Sequence, residues 1–190
     1  MNARCLPLFA LLWPALAAAD TPGQDFWERL EALCGQAFEG TPLIAPEGDD
    51  SFAGETLVMH VRDCDDSRIR IPFAVGDNRS RTWVLTRDDD DAITLRHEHR
   101  HPDGSEEAVS GYGGRTPNPG SARVQMFPAD AQTWEVVNEA QNNVWMIEID
   151  PGEQYIYSVH RLGTGRVFRV AFDLSEPVDA PPAPWGREED

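Results

Sequence analysis

From residue 57 onward the chain alternates hydrophobic and polar positions with a period of two, as strands do when they bury one face and wet the other. Leu57, Met59 and Val61 share one face of the first such run, with Val58, His60 and Arg62 opposite. Ile69, Ile71, Phe73 and Val75 repeat the pattern against Arg68 and Arg70, and Trp83 with Leu85 carries it into a third run over residues 81–87, reached through the turn-forming Gly76-Asp77-Asn78. Further strands are predicted over residues 123–127, 144–149, 155–162 and 167–174, the last three joined by Pro151-Gly152 and Gly163-Thr164-Gly165. Phe168, Val170 and Phe172 make an apolar face in the last of them. The register of that hairpin stays open, so either Tyr155 and Tyr157 or Ser158 and His160 line its inner side. Residues 129–142, with Trp134, Val136 and Val137, fit neither a strand nor a helix period.

Ahead of the strands the spacing becomes helical. Phe26, Leu30 and Leu33 recur on one face, Asp25 with Glu28 three residues on makes a capping pair, and Gly35 can end the last turn. Trp27 and Phe38 are read as core. A short helix followed by about eight to ten short strands, with turn residues every ten or so positions, predicts an all-β fold: an antiparallel meandering barrel or a sandwich.

The two ends differ in composition. Residues 1–19 carry Arg4, an apolar stretch from Leu6 to Leu16 and the small residues Ala17-Ala18-Ala19, which together read as a signal peptide and predict an exported protein, periplasmic or secreted. The apolar stretch, about eleven residues, falls short of the roughly 20 that span a bilayer, and no later run is longer, so no membrane insertion is expected. Residues 20–176 are expected to form a single β-barrel domain. Residues 177–190 turn to proline, alanine and acid, and are expected to be a disordered tail.

Charge narrows the partners. The formal net charge is −17, and every one of the 16 basic side chains is arginine. Such a surface repels phosphate backbones and anionic lipid, so nucleic acid is not an expected partner, and the absence of lysine removes Schiff-base chemistry. Cys5 would leave with the leader. Cys34 and Cys64 then form an even pair in an oxidising compartment, which predicts a disulfide.

The segment His97-Glu98-His99-Arg100-His101-Pro102-Asp103-Gly104-Ser105-Glu106-Glu107 concentrates three of the five histidines. As a helix it matches His-Glu-x-x-His, putting His97 and His101 on zinc with Glu98 as general base and Glu107 at the third-ligand position of a zinc-dependent hydrolase. Pro102 would stop such a helix inside the motif. As a strand it sets Ile93, Leu95, His97, His99 and His101 on one face, with Asp103-Gly104 turning the chain. His97, His99 and His101 are then candidate metal ligands, adjacent pairs converging on zinc or copper with help from His60 or Glu106. The plain alternative is a hydrogen-bonded polar strand end. No catalytic residue is assigned, and no cofactor is required unless a metal binds here.

A barrel preceded by a short helix resembles the layout of lipocalins and related calycin-like proteins, although Phe38-Glu39-Gly40 only echoes the Gly-x-Trp signature of that family. Leu57-Val58-Met59-His60-Val61-Arg62, Ile69-Arg70-Ile71-Pro72-Phe73 and the histidine segment also resemble an uncharacterised family of small exported bacterial proteins. The calycin likeness implies a ligand site inside the barrel. His97, His99, Trp83, Trp145, Phe168 and Phe172 are the expected binding residues, for a small amphipathic ligand held by a monomer. An interaction module that pairs through a free strand edge is the third reading, and it would lack a deep pocket.

Overall fold

A computed structural model describes residues 21–48 and 51–188. The leader expected over residues 1–19 lies outside them. Among the described residues, eleven antiparallel strands make one sheet that curls almost to closure: β1 (Ala37–Ile44), β2 (Leu57–His60), β3 (Asp63–Asp65), β4 (Arg68–Val75), β5 (Asn78–Arg87), β6 (Ile93–His99), β7 (Tyr112–Arg115), β8 (Val124–Pro128), β9 (Asn143–Asp150), β10 (Gln154–Arg161) and β11 (Val167–Val178). The order around the wall is β7-β6-β5-β4-β2-β1-β11-β10-β9-β8, with β3 pairing β4 beside the end of β2. This is the expected antiparallel meander, one strand richer than predicted because β2 and β3 are two pieces laid along β4. Arg62 N donates to Arg70 O at 3.0 Å between them and continues the ladder.

First and last strands pair at length, from Ala37↔Val178 to Ile44↔Arg169 with two bulges, so the seam falls in mid-chain between β7 and β8. A single bridge, Gly114↔Ala129, spans it. The short helix α2 (Ala131–Val136), in the stretch whose period was unreadable, completes the closure. Thr133 Oγ1 donates to Gly113 O and accepts from Gly113 N, both at 2.6 Å, taking the place a neighbouring strand would hold. Gly113 and Gly114 lie in β7. An added Cβ at Gly114 would fall on Pro128 O across the seam, and one at Gly113 on Leu95 O of β6, so both close approaches require glycine.

One end of the barrel is plugged by α1 (Pro22–Glu31), which presents Phe26, Trp27 and Leu30, all fully buried, to the core. Its cap is Thr21 rather than Asp25: Thr21 accepts from Gln24 N at 3.1 Å and Pro22 opens the first turn, where a missing N–H costs nothing. The expected disulfide Cys34–Cys64 ties the chain after this helix to β3, with the Cα atoms 6.4 Å apart.

The last hairpin's register is decided by pairing. Tyr155 lies opposite Phe172 and Tyr157 opposite Val170, so both tyrosines face inward and Ser158 and His160 face away. The segment expected to be disordered from residue 177 keeps pairing with β1 through Val178 and then runs back along the outer wall. Arg79 Nη1 donates to Ala183 O at 2.6 Å, Trp185 N donates to Arg79 O at 3.3 Å, and Pro184 is buried. Composition predicted disorder because the tail has little to bury, but main-chain hydrogen bonds to Arg79 need no apolar face. Among the described residues no helix is long and apolar enough to cross a membrane.

Candidate functional site

The opposite end of the barrel is open. There the inward side chains of β4, β5, β6, β7, β9, β10 and β11 surround a cavity of about 230 Å³. Its depth follows from alternation: Trp83 on β5, His97 on β6, Trp145 on β9 and Tyr157 on β10 are inward residues two to five positions from the strand ends, and the inward residues beyond them toward solvent form the rim.

The walls are a stack of rings. Phe73 lies 5.0 Å from Trp83 at 15°, and Trp83 lies 4.4 Å from Tyr157 at 19°, both offset-parallel, while Tyr112 stacks on His97 at 4.6 Å and 6°. Trp145 tilts against His97 at 5.1 Å. Such stacks fix ring positions as well as burying area. Phe52, in the loop before β2, and Phe168 meet at 4.7 Å beside the opening.

His97 is the buried polar centre of this floor, 4 % exposed. Its Nδ1 lies 3.1 Å from Tyr112 O and its Nε2 2.7 Å from Tyr157 Oη. A carbonyl oxygen can only accept, so Nδ1 carries the proton and Nε2 accepts from the Tyr157 hydroxyl. Burial dominates its titration and lowers its pKa to about 3, the Tyr112 carbonyl opposing and His99 and Arg96 assisting. The imidazole is therefore neutral at physiological pH, with one tautomer. Burial also pushes the Tyr112 phenol up to about 12, and Tyr157 well above the usual phenol range.

His99 sits nearer the rim. Its Nε2 lies 3.1 Å from Tyr112 Oη, and burial, then the Arg81 guanidinium, lower its pKa while Glu107 opposes. Around it the rim is polar: Arg81, Asn143, Arg161 and Arg166 line the opening. Asn143 Oδ1 accepts from Arg161 Nε at 3.2 Å.

The structure places the expected residues unevenly. His97, His99, Trp83, Trp145 and Phe168 line the cavity; Phe172 does not, being fully buried against Phe73, Trp83 and Tyr155 deeper in the core. The helical zinc motif is overturned, because residues 93–99 are a strand that points His97 and Glu98 to opposite faces. Glu98 meets Arg187 of the tail at 3.5 Å instead.

The strand version of a metal centre is not assembled either. Both ring nitrogens of His97 are engaged, His101 lies past the strand end and exposed, and His60 pairs with Ala37 at the end plugged by α1. Glu106 is exposed and bridges the Arg100 backbone. Among the described residues no three His, Cys, Asp or Glu side chains converge on a common point.

Arg81, Tyr112, Asn143, Tyr157 and Arg161 were not expected at the site. Two of them had a signal: Arg81 is in phase with Trp83 and Asn143 with Trp145, so extending each apolar stripe by one step reaches the rim, whereas Tyr157 and Arg161 hung on the open register of the last hairpin. Tyr112 had none, because its glycine-rich surroundings read as loop.

Comparison with protein-family models, curated proteins and solved structures finds no match to this chain.

Proposed function

We propose that this protein is an exported binding module that holds a small amphipathic molecule in the open end of its barrel. The observation that carries the reading is the cavity itself: a ring-walled space of about 230 Å³ with one polar centre whose hydrogen bonds are already satisfied. At the roughly 30 Å³ each molecule occupies in liquid water, it has room for about eight waters. A ligand of that size, flat enough to lie against Trp145 and Tyr112, fits; a long acyl chain or a macrocycle does not. His97 argues for binding over acid–base catalysis. Its pKa of about 3 and its two engaged nitrogens leave it no proton to give or take near neutral pH.

The leader-like residues 1–19 support export, and the Cys34–Cys64 disulfide is compatible with an oxidising compartment. A monomer suffices, since every wall of the cavity comes from one chain.

Trp83 and Trp145 make the test direct. Titration with neutral 1-naphthol, followed by tryptophan fluorescence and by amide NMR shifts, should saturate and map to β5, β6, β9 and β10. Trp145→Ala should weaken binding about tenfold, by the loss of one ring contact. A correctly folded protein that shows no saturable shift in those strands would sink the reading.

A further inference from the structure

Half of the sixteen arginines of this acidic chain are neutralised locally. Arg62, Arg68, Arg87, Arg96, Arg115, Arg123, Arg169 and Arg187 each lie within 4.0 Å of a carboxylate. Two of the others face the cavity. Among the described residues neither Arg81 nor Arg161 meets a carboxylate: Arg81 lies over the Phe52 ring at 5.9 Å with its Nη1 buried and lacking any hydrogen-bond partner, and Arg161 is held through Nε by the neutral Asn143.

The sheet order places them across from each other. In the sequence β7-β6-β5-β4-β2-β1-β11-β10-β9-β8, four strands separate β5 from β10 in either direction around the wall, so Arg81 and Arg161 project from opposite sides of one opening. A buried guanidinium donor without an acceptor is costly, and two like charges facing one another across a low-dielectric mouth add to that cost. A bound oxyanion removes both costs at once, because a carboxylate or phosphate offers acceptor lone pairs in the geometry the guanidinium fork matches. Glu107 acts electrostatically on His99 and Tyr112 from the rim, and so does Arg81.

Resting on the ligand-binding reading above, we infer that the ligand is a small organic anion: a flat apolar body against Trp145 and Tyr112, with one carboxylate or phosphate taken between Arg81 and Arg161. The overall charge of −17 would repel such a molecule at long range, so recognition is local, and binding tightens when salt screens that repulsion.

Three molecules that share a naphthalene ring separate the possibilities: 1-naphthoate, neutral 1-naphthamide and cationic 1-naphthylmethylamine, each titrated by calorimetry into the folded full-length protein after leader removal. Naphthoate should bind at least tenfold tighter than naphthamide, with the amine weakest. Arg81→Gln and Arg161→Gln should each shrink that ratio, and the double variant should bring it to about one while still binding naphthamide. Equal binding of naphthoate and naphthamide, or a preference that survives the double variant, overturns the anion inference and leaves the cavity reading standing. If none of the three binds, both fall. Phenyl phosphate against phenol, run the same way, distinguishes a phosphate-bearing ligand from a carboxylate.

Discussion

Tyr157 Oη donates to His97 Nε2 at 2.7 Å, joining β10 to β6 through the middle of the barrel. The two residues come from strands that share no edge, so this bond and the Nδ1 contact to Tyr112 O hold opposite walls at a set spacing. Protonating the imidazole would turn Nε2 into a donor facing a hydroxyl that is already donating.

The pH dependence of stability follows from that. His97 titrates near 3 in the fold and near 6.5 in the unfolded chain, so the unfolded state takes up a proton the native state refuses. The stability held above pH 6.5 is lost as pH falls toward 3, by about 2 kcal/mol at pH 5. Urea midpoints between pH 7 and 4.5 should fall in the native protein and much less in His97→Gln, which cannot take up that proton. The carboxylates held low, Asp65, Asp88, Asp103, Asp130 and Asp173, lose their contribution only as pH falls through their own lower range, so the two windows separate.

Thr133→Val tests the seam. The replacement keeps the shape and leaves the buried Gly113 N–H unpaired, with Gly113 O held only by Asp130 N at 3.3 Å, at a cost of about 1 to 3 kcal/mol. Hydrogen exchange at Gly113 and its β7 neighbours should accelerate by at least tenfold, with the β10–β11 hairpin unaffected. An unchanged exchange rate would mean that the single bridge Gly114↔Ala129 closes the barrel unaided.

Gly114→Ala attacks the same seam sterically. The new Cβ has to displace the Pro128 carbonyl, and overpacking of this kind costs about 1 to 3 kcal/mol. Thermal denaturation should show the loss, and NMR shifts should concentrate on residues 112–115 and 127–133. Gly152→Ala is the control for a glycine with open space around it; its turn conformation, φ 72°, costs some strain without a clash.

Reduction of Cys34–Cys64 frees a loop of 30 residues' separation and should cost about 3 to 4 kcal/mol on the chain-entropy account. The Cys34→Ala/Cys64→Ala variant should lose the same amount and begin to fray at α1, exposing Phe26, Trp27 and Leu30. Dye binding at intermediate urea, absent in the oxidised protein, reads that exposure. Loss of less than about 1 kcal/mol would show that the helix docks well enough without its covalent tie.

Much of this architecture could be read from residue order. Ile69 and Ile71 alternate with Arg68 and Arg70 because half-buried strands require it, and both are inside. The site was only half legible. Trp83, His97 and Trp145 stood out as rings or imidazoles on an inward phase, whereas Arg81 shared that phase only as a cation at the end of a stripe and Arg161 hung on an open register. Residue order puts Arg96 and Arg81 on different faces, but it does not say that Asp130 meets the first while no carboxylate meets the second. Phe172 failed in the opposite sense: its phase was right, but its depth along β11 puts it beneath the cavity floor.

What the sequence determined by itself is therefore the period of each strand, the plug helix, the disulfide and the apolar stripe that must face inward, because these depend on neighbours a few residues apart. The tertiary structure alone decided that β10 turned its tyrosines inward, where the seam fell, and that Tyr112, Tyr157 and His97 would lock one another while Arg81 and Arg161 lined one mouth. Those outcomes depend on pairing between segments tens of residues apart, where a shift of one residue in register exchanges inner and outer faces.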